Sequence, residues 1–186
     1  MDFKELKRKY RIELFTGAMV LGLVQVLVLF LQYLLRDSAS GILYSILSWG
    51  NLIAIITVFV VYGRKLAAIY APTPLGLTYE RAFGFFILMS LLSGVIYGAG
   101  YYLISEVVDP AYFAGVQQEA LELLVNSGNW SDAQIDAMKS AMELTHSLFV
   151  VIFSYVFVML FQGGFVALFI SAIVKRPPMP QPPPAV

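Results

Sequence analysis

Four stretches of this chain carry no Asp, Glu, Lys, Arg or His: Leu14–Leu35, Gly41–Tyr62, Ala82–Ser105 and Ser147–Val174. A hydrocarbon core about 30 Å thick needs roughly 20 apolar residues in a helix that rises about 1.5 Å per residue. Each stretch meets that length. Strands of an outer-membrane barrel alternate in polarity and last only about 10 residues, so uncharged runs this long are not barrel strands. The sequence predicts an all-α integral membrane protein with four transmembrane helices.

Composition points the same way. The chain is 59% hydrophobic and 13% charged, with a mean hydropathy of +0.77. A soluble domain is about 25% charged, so too few polar side chains remain here to cover a water-facing exterior. The absence of Cys rules out a disulfide framework, thiolate metal sites and a Cys nucleophile. A formal net charge of zero argues against nucleic acid as a partner.

Short connections set the expected orientation through their Lys and Arg. Lys4, Lys7, Arg8, Lys9, Arg11, Arg64, Lys65, Arg81, Lys175 and Arg176 fall on one side of the four spans, against Arg36 and Lys139 on the other. Ten against two predicts both termini in the cytoplasm. A basic start before an apolar run also resembles a signal peptide, with Ser38-Ala39-Ser40 as a cleavage site. The apolar run from Leu14 to Leu35 is 22 residues, however, and a signal peptide's is about 7–15. A retained anchor is the expectation.

The turn at Arg36–Ser40 is short, so spans one and two are expected to be antiparallel neighbours. Ala71-Pro72-Thr73-Pro74 breaks the chain between two hairpins, because residues before proline are pushed out of the helical region. No internal repeat relates the halves. The segment 106–146 is expected to be an exported helical insert. Asp109-Pro110 reads as an N-cap with proline at the first helical position, and Asn126-Ser127-Gly128-Asn129 as a stop. Ser131 with Gln134 forms a capping box, with Trp130 and Ile135 at the staple positions. With no breaker beyond, the second outer helix is predicted to run into span four as one helix of roughly 44 residues, near 65 Å. The segment's carboxylates lie in separate turns, which reads as a solvated face rather than a hard-cation site.

Chemistry is scarce in this sequence. An ionisable residue inside a bilayer is a functional hypothesis by default, and these spans contain none. His146 is the single imidazole, at the outer lip of span four, and a metal site needs several convergent ligands. No catalytic, cofactor-binding or metal-binding residue is assigned, no cofactor is expected, and the chain is read as not an enzyme. Neutral amides remain: Gln25, Gln32, Asn51 and Gln162 are candidate interhelical polar contacts, a role that contributes about 0.6 kcal/mol on average. Ser90, Gly94 and Gly98, and Gly163, Ala167 and Ser171, are spaced four apart. They are candidate helix-packing stripes, suited equally to contact within one chain and between two copies. Phe113, Val116, Ile135, Met138 and Met142 form a candidate exported interaction face. The tail, residues 177–186, is proline-rich and expected to be a disordered cytoplasmic terminus, despite PxxP matches at Pro177–Pro180 and Pro180–Pro183.

Four segments carry a resemblance. They are Leu77-Thr78-Tyr79-Glu80-Arg81-Ala82-Phe83, Asp109-Pro110-Ala111-Tyr112-Phe113, Ser131-Asp132-Ala133-Gln134-Ile135, and the close from Ala167 to Arg176. Together they resemble a bacterial four-helix membrane family known as domain of unknown function 4199. The similarity spans nearly the whole chain except the proline tail. It implies a multi-pass protein of the bacterial cytoplasmic membrane with a helical insert after span three, and it implies no activity, substrate or catalytic residue.

The expected unit is therefore one transmembrane domain, residues 1–176, whose partners are the bilayer and another membrane protein or itself. Its expected role is a non-catalytic interaction or accessory subunit. The alternative is a small transporter or channel acting as an oligomer, with the mid-span amides along its pathway.

Overall fold

The computed structural model describes residues 2–35, 46–47, 49–128, 130–144 and 146–176. The Arg36–Ser40 turn, the first residues of the second expected span and the proline tail lie outside that set. Among the described residues the bounded α-helices are α1 Phe3–Leu35, α2 Gly50–Tyr70, α3 Tyr79–Tyr102, α4 Pro110–Asn126, α5 Asp132–Leu144 and α6 Leu148–Val174. A π-helical turn, Leu103–Val108, extends α3. Among the described residues there is no named strand, and a single antiparallel bridge joins Leu77 to Arg176.

Four of these elements are long and apolar enough to cross a membrane: α1, α2, α3 with its π turn, and α6. They form a bundle in which α1 and α6 each touch both α2 and α3, so α1 faces α6 across one diagonal and α2 faces α3 across the other. The α3–α6 seam is the most extensive. Lipid offers no hydrophobic gain for bringing helices together, so close van der Waals packing must do it. The core is tight near the basic end, where Phe59 stacks on Phe86 at 4.5 Å and Tyr10 meets Phe85 edge-on at 5.3 Å.

Three helices outrun their uncharged stretches, α3 with its π turn by three residues at each end. α1 begins at Phe3, eleven residues before Leu14. Glu5 and Lys9, 2.9 Å apart, support this first part at (i, i+4), and Leu6 and Leu14 are buried. α2 continues past Tyr62 to Tyr70 because its charges sit on one face only. Arg64 and Lys65 are exposed while Tyr62, Leu66, Ala67 and Tyr70 stay buried.

The loop after α2 is fastened at several points. Thr73 Oγ1 donates to Tyr70 O at 2.7 Å. Arg81 Nη1 donates to Leu75 O and Gly76 O, both at 3.2 Å. Gly76 has φ +59°, a region a side chain rarely adopts. Leu77 and Arg176 exchange backbone hydrogen bonds of 3.0 and 2.9 Å, which tie this loop to the end of α6.

The hairpin signals give the helices expected of them. Asp109 caps α4, its Oδ1 accepting from Tyr112 N at 3.1 Å, with Pro110 first in the helix. At α5, Ser131 Oγ accepts from Gln134 N at 3.4 Å and Ser131 N donates to Gln134 Oε1 at 2.9 Å. One expectation fails: α5 and α6 are not one continuous helix. α5 ends at Leu144, and Ser147 is extended (ψ 123°) before α6 starts at Leu148. The reason is tertiary. α5 has no buried residue and stands off the bundle, whereas α6 lies within it. His146 Nδ1 at the junction lies 2.9 Å from Glu106 Oε1 on the π turn.

Candidate functional site

Across the bundle's middle the polar groups are neutral. Gln25, fully buried in α1, donates from Nε2 to Met159 Sδ of α6 at 2.9 Å. Asn51 at the start of α2 donates from Nδ2 to Tyr97 Oη of α3 at 2.9 Å. Both diagonals of the bundle are therefore bridged by an amide. Gln32 Nε2 donates to Leu47 O at 2.8 Å. Gln162 alone of the four amides is exposed, on the side of α6 that borders a groove toward α2.

Two acceptors of this cluster, Gln25 Oε1 and Asn51 Oδ1, are buried without a partner, as is Ser171 Oγ. Each orphan costs about 1–3 kcal/mol. A tyrosine row continues from the cluster toward the hairpin. Tyr155 lies 4.7 Å from both Tyr97 and Tyr101, and Tyr101 meets Phe113 of α4 edge-on at 5.6 Å. The row ends at a crevice of about 190 Å³ lined by Tyr101, Ser105, Glu106, Gln117, Ser154 and Tyr155. Tyr97 itself is buried beside Asn51.

The small-residue stripes pack inside this chain, meeting each other where Gly163 lies against Ser90. A Cβ on Gly94 would lie 2.8 Å from Val156 Cα, and one on Gly98 would lie 2.8 Å from Ile152 Cα. Gly163 of α6 sits against Ser90 of α3, whose Oγ donates to Phe86 O at 2.9 Å. Ala167 and Ser171 are fully buried along the same helix. These positions are filled by intramolecular contact.

The five hairpin residues do not form one free surface. Phe113 turns to the bundle, its ring 6.3 Å from Tyr33 of α1. Tyr33 Oη in turn donates to Asp109 Oδ2 at 2.9 Å. Ile135, Met138 and Met142 are half-buried on α5, and Val116 is exposed on α4.

The outward face of α6 carries a pattern that charge and small-residue counting passes over. Phe149, Phe153, Phe157, Phe161, Phe165 and Phe169 recur every four residues, and all are between 45% and 76% exposed. Successive rings touch at 6.1, 4.9 and 5.2 Å in the pairs 149–153, 153–157 and 165–169. A spacing-of-four count on Phe alone would have found this ridge. Gln162 stands beside it, and a groove of about 700 Å³ lined by Trp49, Asn51, Leu52, Phe161, Gln162 and Phe165 opens there between α2 and α6.

Among the described residues no three His, Asp or Glu side chains converge to hold a metal ion. A bundle of four membrane-length helices with a neutral, amide-bridged interior defines the class: a multi-pass helical membrane protein. The family described as a protein of unknown function (DUF4199) matches residues 15–176, and the chain belongs to that family. No curated protein and no solved structure matches it.

Proposed function

We propose that this chain is a non-catalytic interaction or accessory subunit of the bacterial cytoplasmic membrane. Both termini are cytoplasmic and the α4–α5 hairpin is exported. The orientation is supported by the ends of the bundle. Lys65 pairs with Glu13 at 3.4 Å at the end where α2 leaves the bundle, and Arg176 meets Leu77 there. The opposite end holds the Glu106–His146 and Tyr33–Asp109 contacts. Basic connections stay in the cytoplasm.

One observation carries the interaction role: Gln162. It lies within about one residue of the middle of α6, roughly 20 Å from either helix end. It is exposed there, between Val158 and Phe165. Hydrocarbon cannot satisfy an amide, and an unsatisfied polar group in lipid costs several kcal/mol. A partner transmembrane helix able to both donate and accept at mid-depth removes that cost, and the identical amide of a second copy does so symmetrically. The phenylalanine ridge beside it, inclined about 26° to the helix axis, is a surface of the kind that interdigitates with another helix. The alternative of a small transporter has less support, since Gln25, Gln32 and Asn51 already serve as interhelical contacts.

Gentle extraction followed by native mass measurement tests this. The expected result is a homo-oligomer or a hetero-complex that Gln162→Leu dissociates. A monodisperse monomer with no co-purifying protein overturns the proposal. Orientation is read separately from a cysteine placed at Gly128, which should label from the exported side.

A further inference from the structure

At the basic end, a pocket of about 650 Å³ opens between α2 and α6. Two arginines line it, Arg64 of α2 and Arg176 just past α6. Both are exposed, and neither has an ion-pair partner among the described residues. Part of its wall is aliphatic, with Val60 and Ala67 on one helix and Ile170 and Ile173 on the other, and Tyr70 and Thr73 also line it. We propose that this pocket binds an anionic phospholipid, with the phosphate between Arg64 and Arg176 and an acyl chain along the Val60–Ile173 wall.

Three features converge on that ligand. Planar guanidinium forks match phosphate oxygens bidentately and lose little rotational freedom in doing so. Arg64 lies in the last two turns of α2 and Arg176 just past the end of α6, both at the basic end of the bundle, and basic pockets between transmembrane helices at headgroup level suit anionic headgroups. The aliphatic part of the wall includes Ile173, which is 75% exposed and open to an acyl chain; a free phosphate ion would use none of it. The pocket is also preformed. The Leu77–Arg176 bridge fixes where Arg176 leaves α6, and the Arg81 bonds to Leu75 O and Gly76 O hold the loop at the rim. This inference goes beyond the subunit role and does not depend on it.

The test uses full-length protein, delipidated in a neutral detergent and titrated with phosphatidylglycerol, phosphatidylcholine or inorganic phosphate. Native mass spectrometry reads adducts, and thermal unfolding reads stabilisation. Phosphatidylglycerol should be retained and should raise the melting midpoint, with phosphatidylcholine far weaker. The double variant Arg64→Gln plus Arg176→Gln should lose roughly tenfold or more in affinity, each single variant several-fold, and the control Lys4→Gln plus Lys7→Gln little. Both arginines are exposed, so helix content by circular dichroism should be unchanged. Equal retention of phosphatidylcholine overturns the proposal, as does wild-type binding by the double or both single variants. Stabilisation by inorganic phosphate alone would assign the site to a free anion and reject the lipid.

Discussion

Gln25 Nε2 and Met159 Sδ meet 2.9 Å apart across the bundle diagonal, a strong donor given to a weak acceptor. The carbonyl end of the same amide is buried with nothing to accept. Removing both halves of this mismatch with an isosteric apolar side chain is expected to cost little. Gln25→Leu should therefore be neutral or stabilising by up to about 1 kcal/mol. Gln25→Ala, which leaves a cavity, should cost about 2 kcal/mol or more. Unfolding of the purified protein in mixed micelles measures both, and a Leu variant less stable than the Ala variant would contradict the reading.

Gly94 and Gly84 lie on the same helix with opposite surroundings. A Cβ at Gly94 meets the α6 backbone, whereas at Gly84 nothing lies within 4 Å. Gly94→Ala should destabilise by about 1–3 kcal/mol through overpacking of the α3–α6 seam. Gly84→Ala should be neutral or slightly stabilising, since it only removes the flexibility of a helical glycine. The same micelle unfolding assay compares the two, and equal effects would dismiss the seam as the cause.

Asp109 both caps Tyr112 N and accepts from Tyr33 Oη. Asp109→Ala should cost about 1–2 kcal/mol, and Asp109→Asn, which keeps a capping oxygen, markedly less. Hydrogen exchange should localise the loss to the first turn of α4. Unchanged protection at Tyr112 and Phe113 would refute this.

At the α5–α6 junction, His146→Ala removes the contact with Glu106. The pair is half exposed, so global stability should fall by less than about 1 kcal/mol. Exchange across α5 should nonetheless accelerate, because α5 has no buried residue to hold it independently. The α3–α6 seam should keep its protection. Loss of protection throughout α6 would mean that the junction supports the bundle itself.

Local signals in the sequence translated directly where short-range chemistry decides. The Asp109 and Ser131–Gln134 caps mark α4 and α5, and Pro72 and Pro74 lie just past the end of α2. Long uncharged runs located the four membrane-length helices. Their ends were less legible, because a charge count ignores which face a charge occupies: Arg64 and Lys65 interrupt the run but not the buried stripe from Phe59 to Tyr70. The break at Ser147 is invisible locally, since it arises where α6 is held in the bundle and α5 is not. The pairing of Gly94 with Val156, and of Asn51 with Tyr97, depends on which helices are neighbours, and spacing along one helix does not contain that.

The α3–α6 seam also imposes an order on assembly. Ribosomes deliver α6 after α1, α2 and α3, so the glycine-lined flank of α3 lacks its cover until α6 is in place. Until then Leu77 lacks its Arg176 partner and the bundle lacks its most extensive contact. Without α6, the flank of α3 lined by Gly94 and Gly98 is a narrow slot shaped for one helix.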